Sequence, residues 1–157
     1  MAKYFINNNL GGTQQALTTT FKSLVTAASS ATTKRVRVFE IKCGQNGTPA
    51  STDVSIEFDV SAVTAAGTGT AITPTKFDPG DGAALTSCLA NLTVEPTVTA
   101  NSAVWSAGGN QRAPFYWAAL TDSAQLIGPA TSAAGWTLRS KSPGYTGTAL
   151  GALSFEE

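Results

Sequence analysis

From residue 53 to residue 61 the chain reads DVSIEFDVS, with almost every apolar residue followed by a polar one. Val54, Ile56, Phe58 and Val60 fall on one side of an extended chain, and Ser55, Glu57, Asp59 and Ser61 on the other. A helix cannot separate that order into two faces, because its side chains repeat every ~3.6 residues and those of a strand every ~2. Residues 34–43 repeat the pattern, with Val36 and Val38 set against Arg35 and Arg37. Between the two stretches lies QNGTP, whose Asn-Gly pair takes positive φ cheaply and turns the chain. The expectation is a hairpin in which Val38 faces Phe58, Val36 faces Val60 and Arg37 faces Asp59. Such a cross-strand charge pair contributes only about 0.2–1 kcal/mol, so it selects register more than it stabilises.

Further strand-like stretches occupy residues 17–28, 70–73, 93–105, 113–120, 135–141 and 148–155, with Gly, Pro or Asn between them. DPGDG at 78–82 reads as a tight turn, and 83–89 is the only stretch expected to be helical, with Asp81 as its cap. Residues 1–16 read as an extended arm, because Asn7-Asn8-Asn9 and Gly11-Gly12 break any period. The expected fold class is all-β: a single antiparallel β-sandwich or jelly-roll-like barrel over 17–157, an N-terminal arm over 1–16, and at most one short helix. At 16.0 kDa the chain fits one domain, and surface scaling gives it about 7,400 Å² of exposed area.

The chain contains no histidine. That removes Ser–His–Asp and Cys–His activation of a nucleophile and the commonest transition-metal ligand. Cys43 and Cys88 are too few for a disulfide framework; one bridge is open to them, and two small buried thiols are the default reading. Glu57 and Asp59 stand about 6.6 Å apart along a strand, a spacing a glycosidase pair tolerates, but neighbouring acids on a solvated strand face are commonplace. Asp78 and Asp81 miss the calcium-loop spacing, and GTGTA at 67–71 misses the phosphate-loop spacing. Sequons at Asn46 and Asn91 lack a secretory context, since the start of the chain carries one cation and a three-residue apolar run. The expectation is a protein that is not an enzyme, with no cofactor and no metal, made in a cytoplasm. Ten cations balance ten anions, and charged residues make up only 13% of the chain. That balance leaves no footprint for nucleic acid or an anionic membrane, nothing is apolar enough to span a bilayer, and little opposes self-association.

What remains for function is a set of aromatics able to anchor a contact or stack on a sugar. In PFYW at 114–117, Phe115 and Trp117 share one strand face and Tyr116 takes the other. The candidate interface residues are Tyr4, Phe5 and Ile6 in the arm, with Tyr116, Trp136 and Tyr145 in the domain.

Four segments occur in order along residues 34–157: TAAGTGTAITPTKFDPGDGAA at 64–84, NQRAPFYW at 110–117, GPATSAAGWTLR at 128–139 and the ending LSFEE. With the strand before Gln45-Asn46-Gly47, these resemble small virion proteins of tailed bacteriophages, the family that includes capsid decoration, or cement, proteins. Phe77 stands where that pattern has leucine and Gly82 where it has alanine, and the glycine weakens the short helix. The resemblance implies a barrel or jelly-roll-like domain on the outside of an icosahedral capsid, assembled in the host cytoplasm. Its partners would be the major capsid protein and copies of itself, as a homotrimer. In that setting the arm would order on a neighbouring surface through Tyr4, Phe5 and Ile6. The alternative is a tail, fibre or baseplate module that binds a receptor or glycan. An unrelated carbohydrate-binding or adhesin-like domain is a third possibility.

Overall fold

The computed structural model describes residues 1–157. Its strands are β1 (Lys3–Asn7), β2 (Gln15–Ala16), β3 (Lys22–Ser29), β4 (Arg37–Asn46), β5 (Ser55–Ala65), β6 (Thr68–Ile72) and β7 (Thr75–Lys76) in the first half. The second half adds β8 (Thr86–Val94), β9 (Thr97–Asn110), β10 (Phe115–Ala118), β11 (Leu126–Ile127), β12 (Gly135–Lys141) and β13 (Thr148–Glu156). They form two antiparallel sheets. The first runs β10-β4-β13-β1-β7, with β11 also on β4 and β2 on β13; the second runs β6-β8-β3-β12-β5-β9. The fold is therefore an all-β sandwich, as the alternation predicts, and not a closed barrel. Its accessible surface of 7351 Å² matches the area expected of one folded domain of this mass.

The alternating residues do face a core, but the expected hairpin does not form. β4 pairs with β13, β10 and β11, and β5 pairs with β12 and β9, so the two strands belong to different sheets. Gly47 makes the turn at φ 120°, and residues 48–54 then carry the chain across to the other sheet. Val38 and Phe58 are both fully buried, on opposite walls of one core. Asp59 lies opposite Arg139, not Arg37.

The expected arm is a strand in the interior of the first sheet. β1 lies between β13 and β7, with Tyr4 opposite Phe155 and Ile6 opposite Leu153. Tyr4 and Ile6 are each 2% exposed, and the Tyr4 ring stacks on Phe155 at 5.5 Å between centroids. The asparagine run continues the fold: Asn8 is buried, donates to the Ala149 carbonyl (2.9 Å) and accepts from the Gly151 amide (2.8 Å). Gly151 leaves room for leucines of the facing sheet, since a Cβ there would lie 2.6 Å from Leu24 Cδ1 and 2.8 Å from Leu138 Cδ2 and would push both side chains aside.

The expected helix at 83–89 is absent. Thr86, Cys88, Ala90 and Leu92 are buried at every second position, and that period makes the segment strand β8. The Glu157 carboxylate fixes the strand's start by accepting from the Leu85 and Thr86 amides (2.6 and 3.0 Å). The one helical turn is the 3-10 segment Asp122–Ala124. DPGDG is a turn, with the Asp78 carboxylate accepting from the Gly80 amide at 2.8 Å. Cys43 and Cys88 are free and buried, and burial pushes both thiols up to about 12.

Candidate docking surface

The two outward-facing sheet surfaces differ in chemistry. On the second sheet, the charges along β5 and β12 are paired with one another. Arg139 grips Asp59 through two hydrogen bonds (2.8 and 2.6 Å) and also donates to Ser61 Oγ (3.0 Å). Lys141 meets Glu57 at 3.1 Å, and Thr26 donates to Thr137 at 3.0 Å. Each member of the carboxylate pair weighed as a glycosidase site thus faces a cation of its own.

The first sheet turns aromatics outward. Tyr4 and Ile6 point inward from β1, so Phe5 points outward between them. In β10, Phe115 and Trp117 pack toward the core, and Tyr116 takes the solvent side at 65% exposure. Phe39 and the 57%-exposed Phe77 lie 6.1 Å apart, with the Lys3 ammonium 5.3 Å from the Phe39 ring. Leu150, also exposed, stands outward on β13 between the inward Ala149 and Gly151. One sheet face therefore carries Phe5, Phe39, Phe77, Tyr116 and Leu150.

Tyr116 is held in place although it is exposed. Its hydroxyl donates to Glu40 Oε1 at 3.0 Å, and the Lys42 ammonium lies 5.8 Å from its ring. Glu40 also accepts from Ser154 Oγ at 2.6 Å and pairs with Lys42 at 3.2 Å. Burial works against the charge on Glu40, but hydrogen bonds from Ser154, Lys42 and Tyr116 outweigh it and hold its carboxyl below the usual value. The Tyr116 phenol is pushed up, chiefly because it donates to that carboxylate. An aromatic already fixed in one orientation loses little freedom when a partner covers it.

Beside Tyr116 a groove of about 630 Å³ crosses the sheet toward β1. Gly44, Leu150 and Ala152 line its middle, and Phe5 and Tyr116 stand among its walls. Asn7, Asn9 and Gln45 line it too. The oxygen of each of these amides accepts from within the chain: Asn7 from the Asn9 amide, Asn9 from Gln14 and Gln45 from Tyr145.

Of the six interface residues expected from sequence, the structure brings Phe5 and Tyr116 together on this face. It places Tyr4, Ile6, Trp136 and Tyr145 in the core instead. Tyr145 is buried because its hydroxyl is satisfied there, by Gln45 Oε1 (2.8 Å) and the Thr48 carbonyl (3.2 Å). Trp136 lies opposite Ala27, in the core with Val25 and Leu138. Phe39, Phe77, Leu150 and Glu40 were not expected at the site. Alternation along LGALSF would have set Leu150 opposite Leu153 and Phe155. No protein-family model, curated protein or solved structure matches the chain.

Proposed function

We propose that this protein is a capsid decoration protein, docking on the outer surface of a bacteriophage shell and bridging its capsomers. The observation that carries the reading is the aromatic outer face of the first sheet, with Tyr116 held by Glu40 and Lys42. Contiguous exposed apolar surface on a soluble domain marks an interaction site, and aromatic anchors contribute much of the energy of protein interfaces. The sandwich supports the reading by presenting that face rigidly, with the N-terminus stitched between β13 and β7. The low charge of the chain adds to it, because copies crowded on one shell repel little. Bridging needs a rigid body that touches two neighbours at once, and this face spreads its aromatics across the sheet, from Tyr116 on β10 to Phe77 just past β7.

Cosedimentation with purified shells tests the reading. The wild-type chain is expected to sediment with them. Tyr116→Ala and Phe77→Ser are expected to lose binding while keeping a native far-UV spectrum, Tyr116→Ala at a slightly lower unfolding midpoint because Glu40 loses one hydrogen bond. Unchanged binding by both variants would remove the face from the account.

The groove favours one other reading, a receptor- or glycan-binding module of the tail. Two aromatic walls and amide side chains suit a saccharide, whose ring stacks while its hydroxyls bond. Saturable sugar binding that perturbs Tyr116, without shell binding, would favour that reading.

A further inference from the structure

The second sheet ends in an edge that natural β-proteins rarely leave undefended. β9 is a 14-residue strand, TVTANSAVWSAGGN, with no charged residue and no proline. Its one partner is β5, and its other side lies at the border of the sheet. The strand is not uniform. Pairing slips where Ser61, Val63 and Ala65 of β5 meet Ala103, Val98 and Thr97, so residues 99–102 bulge away from the ladder. From Trp105 to Asn110 the register is unbroken against Val60 to Ser55. Six residues at ~3.4 Å each leave about 20 Å of regular backbone with one side unpaired, apart from the Asn110 carbonyl, which accepts from the Ala113 amide at 3.2 Å. Lysines, prolines, bulges or a covering loop normally blunt such an edge, and the regular stretch has none of these.

We infer that Trp105–Asn110 pairs with the same stretch of a second copy, antiparallel across a two-fold axis, joining two six-stranded sheets into one, a two-fold pair in place of the homotrimer that the resemblance implies. Three observations select a second copy. Ser106, Ala107, Gly108 and Gly109 are small, so no side chain holds a neighbouring strand away. The edge is uncharged and the chain has zero formal net charge, so a copy meets no like charge when it approaches. An antiparallel strand is also its own partner under a two-fold rotation, the commonest symmetry of homo-oligomers. The pairing is small in area and belongs with weak, transient contacts, which crowding on a surface strengthens. It lies on the other sheet from the aromatic face and leaves that face free.

Sedimentation equilibrium of the full-length chain tests this without any shell. The weight-average mass is expected to rise from monomer toward dimer through the high micromolar range. The double variant Ser106→Lys/Gly108→Lys is expected to stay monomeric, because the two-fold axis sets like charges against one another. Gly108 has room for a side chain, its ideal Cβ lying 4.0 Å from the nearest atom, the Ile56 carbonyl oxygen. A native far-UV spectrum and unfolding midpoint show that the variant folds. A Ser106→Cys variant gives independent support if it becomes crosslinked in dimers, because Cys43 and Cys88 are buried and the new thiol is the exposed one. A wild-type mass that does not change with concentration would overturn the inference. So would a dimer that survives the double lysine change, or one abolished by Phe77→Ser. Shell binding is read separately, so failure here leaves the docking proposal standing.

Discussion

Replacing Asp59 by alanine isolates the one ion pair that the fold buries. The carboxylate side chain is 7% exposed and the Arg139 side chain 18%, and the two meet through paired hydrogen bonds of 2.8 and 2.6 Å. Truncating one member leaves the guanidinium buried with only the Ser61 hydroxyl (3.0 Å) and the Phe21 ring, 4.7 Å from its centroid. Breaking such a pair costs about 3–5 kcal/mol, mostly the penalty of an uncompensated charge. For a domain of this size each kcal/mol moves the midpoint by about 2–4 °C, so Asp59→Ala should melt about 6–20 °C below wild type. Replacing both members by apolar residues removes the stranded charge, and Asp59→Ala/Arg139→Met should recover most of the loss. Arg37 is the arginine a hairpin would have set beside Asp59, and here it faces Ile127 and Glu156. Arg37→Ala should stay within about 0.5 kcal/mol of wild type and add independently to Asp59→Ala. Urea unfolding of the single and double variants closes both cycles. Coupling of Asp59 to Arg37, or none to Arg139, would refute the strand order of the second sheet.

Other consequences follow from the core and from the site. Tyr4→Ala should cost about 3–5 kcal/mol, as for other large aromatic truncations, and removing residues 2–9 should unfold the chain; a folded, stable truncate in urea titration would restore the arm. Burial holds both thiols up to about 12, so Cys43 and Cys88 should resist a thiol reagent at mildly alkaline pH and react fully only in denaturant. The lowered Glu40 carboxyl stabilises the fold fully above its ordinary value of 4.5, and that contribution is lost as pH falls from there through the folded value. Unfolding curves of wild type and Glu40→Gln should therefore differ near neutrality and converge in acid; a constant difference would contradict the charged hydrogen bonds to Tyr116, Lys42 and Ser154.

Single-strand properties were legible in the sequence and pairings were not. Alternation fixes which side of a strand meets the core, and it placed Val38, Ile56, Phe58 and Val60 correctly. It carries nothing about which strand lies next, so two strands joined by an Asn-Gly turn read as neighbours although a largely exposed linker carries the chain from one sheet to the other. The supposed hairpin assigned Asp59 to Arg37, whereas the fold sets it against Arg139, 80 residues further along the chain. The asparagine run read as a break because its role lies far along the chain, on Ala149 and Gly151. At the site, Tyr116 was legible because Phe115 and Trp117 had to share the opposite face. Trp136 on β12 and Tyr145 in the connection after it misled, since an aromatic reads alike in sequence whether it anchors a core or a contact. Phe39 on β4 meets Phe77 just past β7, so neither segment alone announces the patch.

Electron microscopy of purified particles that carry the protein tests the central claim most directly. The account predicts sandwich-shaped density at many symmetry-related positions across the head, with the sheet face of Phe5, Phe77 and Tyr116 turned toward the shell. A few copies confined to one vertex or to the tail, or that face turned toward solvent, would contradict it.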